Sequence, residues 1–161
     1  MDKTYLRVHW WEIVLWLIGV AIIGRLSSLL AGDLRAIYNG FQLPPLAPPD
    51  YLFGLVWPVL YALMAIAGAL IAHQPRTSAK KRLDYLLFSF QLFLNFCWSI
   101  VFFGQNEKWL GLAIILLLDL FVACLIARLY QPARWAAYLL MPYLIWILFA
   151  TYLTVGVALL N

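Results

Sequence analysis

The stretch FQLPPLAPPDYLFGLVWPVLY, Phe41 to Tyr61, decides how the chain is read. Its first half holds Pro44, Pro45, Pro48 and Pro49. Each removes a backbone donor, fixes its own φ and pushes the preceding residue toward extended geometry, so 43–49 reads as a stiff, ordered cover. The second half runs on into an apolar, aromatic helix, where Trp57 and Tyr61 fall one turn apart on the same face. Pro58 lies inside that helix and predicts a kink beside Trp57. The pattern is that of a rigid flap leading into an aromatic pocket.

The surrounding composition fixes the solvent. Of 161 residues, 66% are hydrophobic and 11% charged, whereas a soluble domain carries about 25% charged residues. About 20 apolar residues cross a bilayer as a helix, and the apolar content suffices for roughly five such spans. A transmembrane β-barrel needs alternation with a period of two, but Leu110 to Leu118 is apolar at every position. The fold class that follows is an all-α integral membrane protein, a five-transmembrane-helix bundle forming a single domain over 1–161. Helices are expected at about 10–31, 51–72, 84–104, 109–129 and 135–160, with the proline-rich flap loop at 32–50.

The first span is too long for a signal-peptide core and no small-residue cleavage site follows it, so it reads as a mature helix. Trp10 and Trp11 suit the headgroup interface. Arg25 has two readings, a side chain snorkelling to the surface or one turned inward. The third span holds Gln91, Asn95 and Trp98 at i, i+4 and i+7, a polar face that must point into the bundle, since an amide facing lipid is costly. Asp119, near the centre of the fourth, is either a functional carboxylate or a hydrogen-bond partner. Cys97 and Cys124 have neither CxxC nor metal-ligand spacing and read as packing residues.

The net charge of +4 is explained by location. Lys3, Arg7, Arg76, Lys80, Lys81, Arg82, Arg128 and Arg134 fall on one side of the predicted membrane, and only Arg35 and Lys108, with Arg25 if it snorkels, on the other. That asymmetry predicts a cytoplasmic N-terminus, with the flap and the C-terminus outside. It also removes the need for a nucleic-acid partner.

Trp57, Tyr61, Trp98, Tyr143 and Trp146, from three helices, with Gln91 and Asn95 and the cover at Pro44, describe large flat walls with a few donors, suited to a planar, mostly apolar ligand. The alternative is that the same stripes are packing. No serine or cysteine has a histidine placed for a triad, and His9 and His73 fall at helix ends opposite the flap. No metal or cofactor is expected. A tetrapyrrole held there would be metal-free, with Arg25 or Arg35 as partners for its carboxylates.

GLVWPVLY at Gly54 to Tyr61, the spaced prolines of Pro44 to Pro49, QLFLNFCWSIVFF at Gln91 to Phe103 and MPYLIWILFATYL at Met141 to Leu153 occur in this order. Together they resemble the tryptophan-rich sensory proteins of bacteria and their mitochondrial relatives, the translocator or peripheral benzodiazepine receptor proteins. The resemblance implies a five-helix bundle, commonly a homodimer. Its pocket under the first loop takes protoporphyrin IX, drug-like planar ligands and, in some members, cholesterol. Carried over by motif, the pocket residues are Trp57, Tyr61, Asn95, Trp98, Tyr143 and Trp146. The tryptophans matching Trp57 and Trp146 are linked in the family to light-dependent porphyrin breakdown.

The flap departs from the family pattern W-Y-x-x-L-x-K-P-x-W-x-P-P. Here IYNGFQLPPLAPP puts Ile37 and Leu46 at tryptophan positions and Leu43 at the lysine. The sterol pattern near the C-terminus fails as well, because Tyr152 has no lysine or arginine after it. Three readings stand: a sensor or carrier for tetrapyrroles, an enzyme degrading the bound porphyrin in light through Trp57 and Trp146, and a structural membrane protein without a specific ligand.

Overall fold

Uninterrupted apolar runs leave each backbone amide no partner but its own helix, and the computed structural model is correspondingly helical. It describes residues 8–74 and 77–161; Lys3, Arg7 and Arg76 therefore lie outside the described residues. The elements are α1 (Trp10–Ala31), α2 (Leu34–Gly40), α3 (Tyr51–Ala72), α4 (Ser78–Ser99), a π-helical turn at Ile100–Gly104, α5 (Lys108–Leu129) and α6 (Arg134–Leu160). Among the described residues, five helices are long and apolar enough to cross a membrane, α4 doing so together with its π-turn.

The spans close into a ring. α3 packs between α1 and α6, α5 between α6 and α4, and α4 returns to α1. Small residues let the backbones approach: Ala65, Gly68 and Ala69 of α3 are buried, and a Cβ at Gly68 would stand 2.8 Å from the Trp16 ring of α1. α1 is the least enclosed span, with 11% of its apolar window buried against 33–44% elsewhere, so it forms an outer wall rather than a core element. At one end of the ring Arg128 Nε meets Asp84 Oδ1 at 2.9 Å, and Gln74 Nε2 donates to Asp84 Oδ2 at 3.0 Å. There too Glu12 meets His73 Nε2 at 2.6 Å, joining α1 to the end of α3. The other end carries the flap.

Two expectations need correction. The third span begins at Ser78, not near residue 84. Ser78 to Leu83 is too polar to read as membrane-spanning, yet Ala, Lys and Arg are good helix formers, and Lys81 Nζ reaches back to Ala72 O at 3.0 Å. The flap at 32–50 is not loop throughout, because it contains α2. Asp33 caps α2 by accepting from Ala36 N at 3.1 Å, and Gly32, at φ +87°, makes the turn from α1.

Candidate functional site

Under the flap lies a cavity of about 600 Å³, within the usual range for small-ligand pockets of ~300–1,000 Å³. Trp57 and Tyr61 of α3 and Trp98 of α4 form its aromatic wall. The two α3 rings lie 5.3 Å apart. Gly54 and Pro58 also line it. A proline four residues on denies the Gly54 carbonyl its helix donor, so a polar backbone group belongs to the wall. The rim carries Arg25, Arg35 and Asp50. Arg35 Nε is 3.2 Å from Asp50 Oδ2, while Arg25 is exposed at the mouth. Of the two readings of Arg25, the structure puts it on the cavity lining.

The π-turn explains how α4 contributes two rings. Trp98 and Phe103 both line the cavity, although five residues in an α-helix at about 3.6 per turn end on divergent faces. Wider closure brings them round together; Gln105 N bonds Ile100 O at 2.9 Å, an i→i−5 bond. Gly104 tightens the turn against α1, since a Cβ there would sit 3.1 Å from Ala31 Cα.

The remaining predicted residues form a second layer rather than the cavity wall. Gln91, Asn95 and Tyr143 are buried between α4 and α6, and Trp146 is half-buried, its ring 5.8 Å from that of Phe53, itself a lining residue. Tyr143 lies in electrostatic range of Asn95 and Tyr61. Polar atoms in both layers have no hydrogen-bond partner among the described residues: Gln91 Oε1, Asn95 Nδ2, Trp98 Nε1, Tyr143 Oη and Trp146 Nε1. Leaving one such group unmade costs about 1–3 kcal/mol, and so many in one neighbourhood fits a region that receives a ligand or water. Asp119 does not line the cavity but lies in electrostatic range of Tyr143, its Oδ2 accepting from Thr151 Oγ1 at 2.7 Å between α5 and α6. Among the described residues no group of three His, Cys, Asp or Glu could hold a metal ion.

The flap is clasped to α6. Pro44 is buried and does not line the cavity; a Cβ at Gly156 would meet its ring at 2.5 Å. Tyr152 Oη donates to Pro45 O at 2.5 Å, and Asn161 bonds both the amide and the carbonyl of Gln42, at 2.9 and 3.0 Å. Tyr38 Oη donates to Pro48 O at 2.8 Å; burial, then the Asp50 carboxylate, push its phenol above the ordinary value. Pro44 O accepts from Ala47 N, with Leu46 at φ +64°, a turn of type II shape. Of the flap departures, Ile37 and Leu43 pack on the core, while Leu46 is 86% exposed.

Beyond Arg25, the sequence reading missed the contribution of α1. Ala21, Gly24, Arg25 and Ser28 line the cavity at i, i+3, i+4 and i+7, a small and polar stripe that was legible as one face. Gly24 is decisive there: a Cβ would stand 2.4 Å from Tyr61 Cε2.

The four segments that build flap, wall and inner layer are those of one known group of membrane proteins, whose sequence profile, described as the TspO/MBR family, matches residues 13–160. The chain belongs to the TspO/MBR family. It is 38% identical over 151 residues to the tryptophan-rich protein TspO of Archaeoglobus fulgidus, covering 93% of this chain and 97% of that one. The tryptophan-rich sensory protein of Cereibacter sphaeroides is 36% identical over 114 residues, 71% of this chain and 70% of the relative. The human translocator protein is 35% identical over 126 residues, 78% and 75% of the two chains. As a TspO/MBR protein with five apolar spans, it is a multi-pass membrane protein.

Proposed function

We propose that this TspO/MBR protein is a membrane sensor or carrier that binds a tetrapyrrole such as protoporphyrin IX, or another planar apolar ligand, in the cavity under the flap. The observation that carries the reading is Trp98, 5% exposed. Its ring lines the cavity while its Nε1 has no hydrogen-bond partner among the described residues. Trp57 and Tyr61 supply the stacking surface, Arg25 and Arg35 the charges for carboxylates, and Asn95, Tyr143, Trp146 and Gln91 a reserve of polar atoms behind the wall. The chain acts as a homodimer of single-domain protomers with the N-terminus cytoplasmic, an orientation supported by Lys80, Lys81, Arg82, Arg128 and Arg134 at the end away from the flap. Light-dependent degradation of the bound ring is the second reading, favoured by Trp57 at the wall.

The test is a titration of detergent-purified protein with metal-free protoporphyrin IX, following tryptophan quenching in the dark and porphyrin absorbance under light. Saturable quenching that weakens in Trp57→Leu and Asn95→Ala supports the carrier reading. Loss of absorbance only in light, slowed by Trp57→Leu or Trp146→Phe, selects the degradative one. Quenching that never saturates, or is indifferent to the variants, returns the aromatic residues to packing.

A further inference from the structure

A second groove runs down the bundle between α1 and α4, sharing no lining residue with the flap cavity. Its membrane-depth part, about 490 Å³, is lined by Leu15, Trp16, Gly19, Ile23, Leu92 and Phe96 among others. Toward the basic end a hollow of about 370 Å³ is lined by Ser78, Lys81, Arg82, Tyr85, Leu86 and Ser89. Ser89 borders both, so the two are successive stretches of one groove. We propose that this groove binds one anionic glycerophospholipid, its phosphate at Arg82 and Lys81 and one acyl chain in the slot between α1 and α4.

Shape, length and charge agree. The slot is apolar and shallow-floored where Gly19 lies, and a Cβ at Gly19 would have no neighbour within 4 Å. Its wall is held rigid by Trp16, nearly parallel to Tyr85 at 6.3 Å and perpendicular to Phe88 at 5.4 Å. From Arg82 to Phe96 the helix axis advances about 21 Å at 1.5 Å per residue, half the ~40–45 Å of a bilayer with its headgroups. The groove thus spans one leaflet, with cations at the headgroup and hydrocarbon below. Arg82 is exposed and has no ion pair among the described residues. Lys81 lines the hollow beside Arg82, its ammonium donating to Ala72 O at 3.0 Å. A second copy of the chain would use the slot but not the cations, and a soluble phosphate the cations but not the slot.

The test counts lipids bound to the detergent-purified full chain by native mass spectrometry, titrating phosphatidylglycerol, phosphatidylcholine with the same acyl chains, and glycerol phosphate. One phosphatidylglycerol should bind in preference to phosphatidylcholine. Arg82→Gln should reduce that preference about fivefold, the equivalent of about 1 kcal/mol for one basic residue at an anionic surface. Gly19→Leu, whose Cβ meets nothing within 4 Å and whose side chain would occupy the slot, should abolish stoichiometric binding of both lipids; Ser89→Leu, at an exposed position, carries the same test if Gly19→Leu does not fold. Preference unchanged in Arg82→Gln, glycerol phosphate bound as tightly as the lipid, or a slot variant that alters oligomeric mass but not lipid binding would each overturn the assignment.

Discussion

Gly156→Ala is a sharp test of how the flap is held. The new Cβ would stand 2.5 Å from both Cβ and Cγ of Pro44 and 3.2 Å from Cδ, and a proline ring cannot rotate away. Overpacking of this kind costs about 1–3 kcal/mol. Alanine also favours α6 by about 1 kcal/mol over glycine, but α6 is helical whether the flap is docked or released, so that gain cancels from the flap equilibrium and offsets the clash only in global stability. The flap should therefore open about 5–150 times more often, at about 1.4 kcal/mol per tenfold, while the thermal midpoint moves little. Hydrogen exchange at the Gln42 amide, bonded to Asn161 Oδ1 at 2.9 Å, reads this directly. Exchange there unchanged from the parent protein would refute the idea that the Pro44–Gly156 contact seats the flap.

Leu46→Asn should stabilise the docked flap by about 1 kcal/mol, because asparagine tolerates the left-handed backbone that Leu46 adopts at φ +64°; slower exchange across 42–48 checks it. The Tyr38 phenol is raised above its ordinary value of about 10. Its bond to Pro48 O should therefore contribute fully below pH 10 and be lost as pH rises through the folded-state value, so Tyr38→Phe should loosen the flap at pH 7 and differ little from the parent above that value. Asp84→Ala should lower unfolding stability in detergent by about 1–3 kcal/mol, since it takes the acceptor from buried Gln74 Nε2 and the partner from Arg128, whose side chain is 32% exposed. Gly24→Ala forces Tyr61 off its seat and should weaken binding of protoporphyrin IX by about tenfold or more.

The five spans were legible because bilayer solvent imposes a single rule, that apolar length equals helix. Where the rule stops, so did the reading. Ser78 to Leu83 is helix by backbone propensity but polar by hydropathy, so a hydropathy argument ends the span too late. α2 is short and lies in a polar setting, yet its Asp33 cap carried a local signal, an acceptor three residues before the amide it holds.

The site was legible by face and not by neighbour. Periodicity puts Gln91, Asn95 and Trp98 on one side of α4, but only the ring order of the helices determines that Trp98 reaches the cavity while Gln91 and Asn95 stop behind it. α3 separates the two environments: Trp57 and Tyr61 border the space toward α1, whereas Tyr143 and Trp146 come from α6 on its other flank. A spacing argument that joins all of them into one pocket needs the intervening helix to be thin, and at Gly54 and Pro58 it is: one position has no side chain and the other withdraws a backbone bond. Tyr143 Oη and Asn95 Nδ2, without hydrogen-bond partners among the described residues, belong to the inner layer. The inner layer is thus joined to the wall through Tyr61, which both lines the cavity and interacts with Tyr143. Displacing that one ring, as a Cβ at Gly24 would, acts on both layers at once.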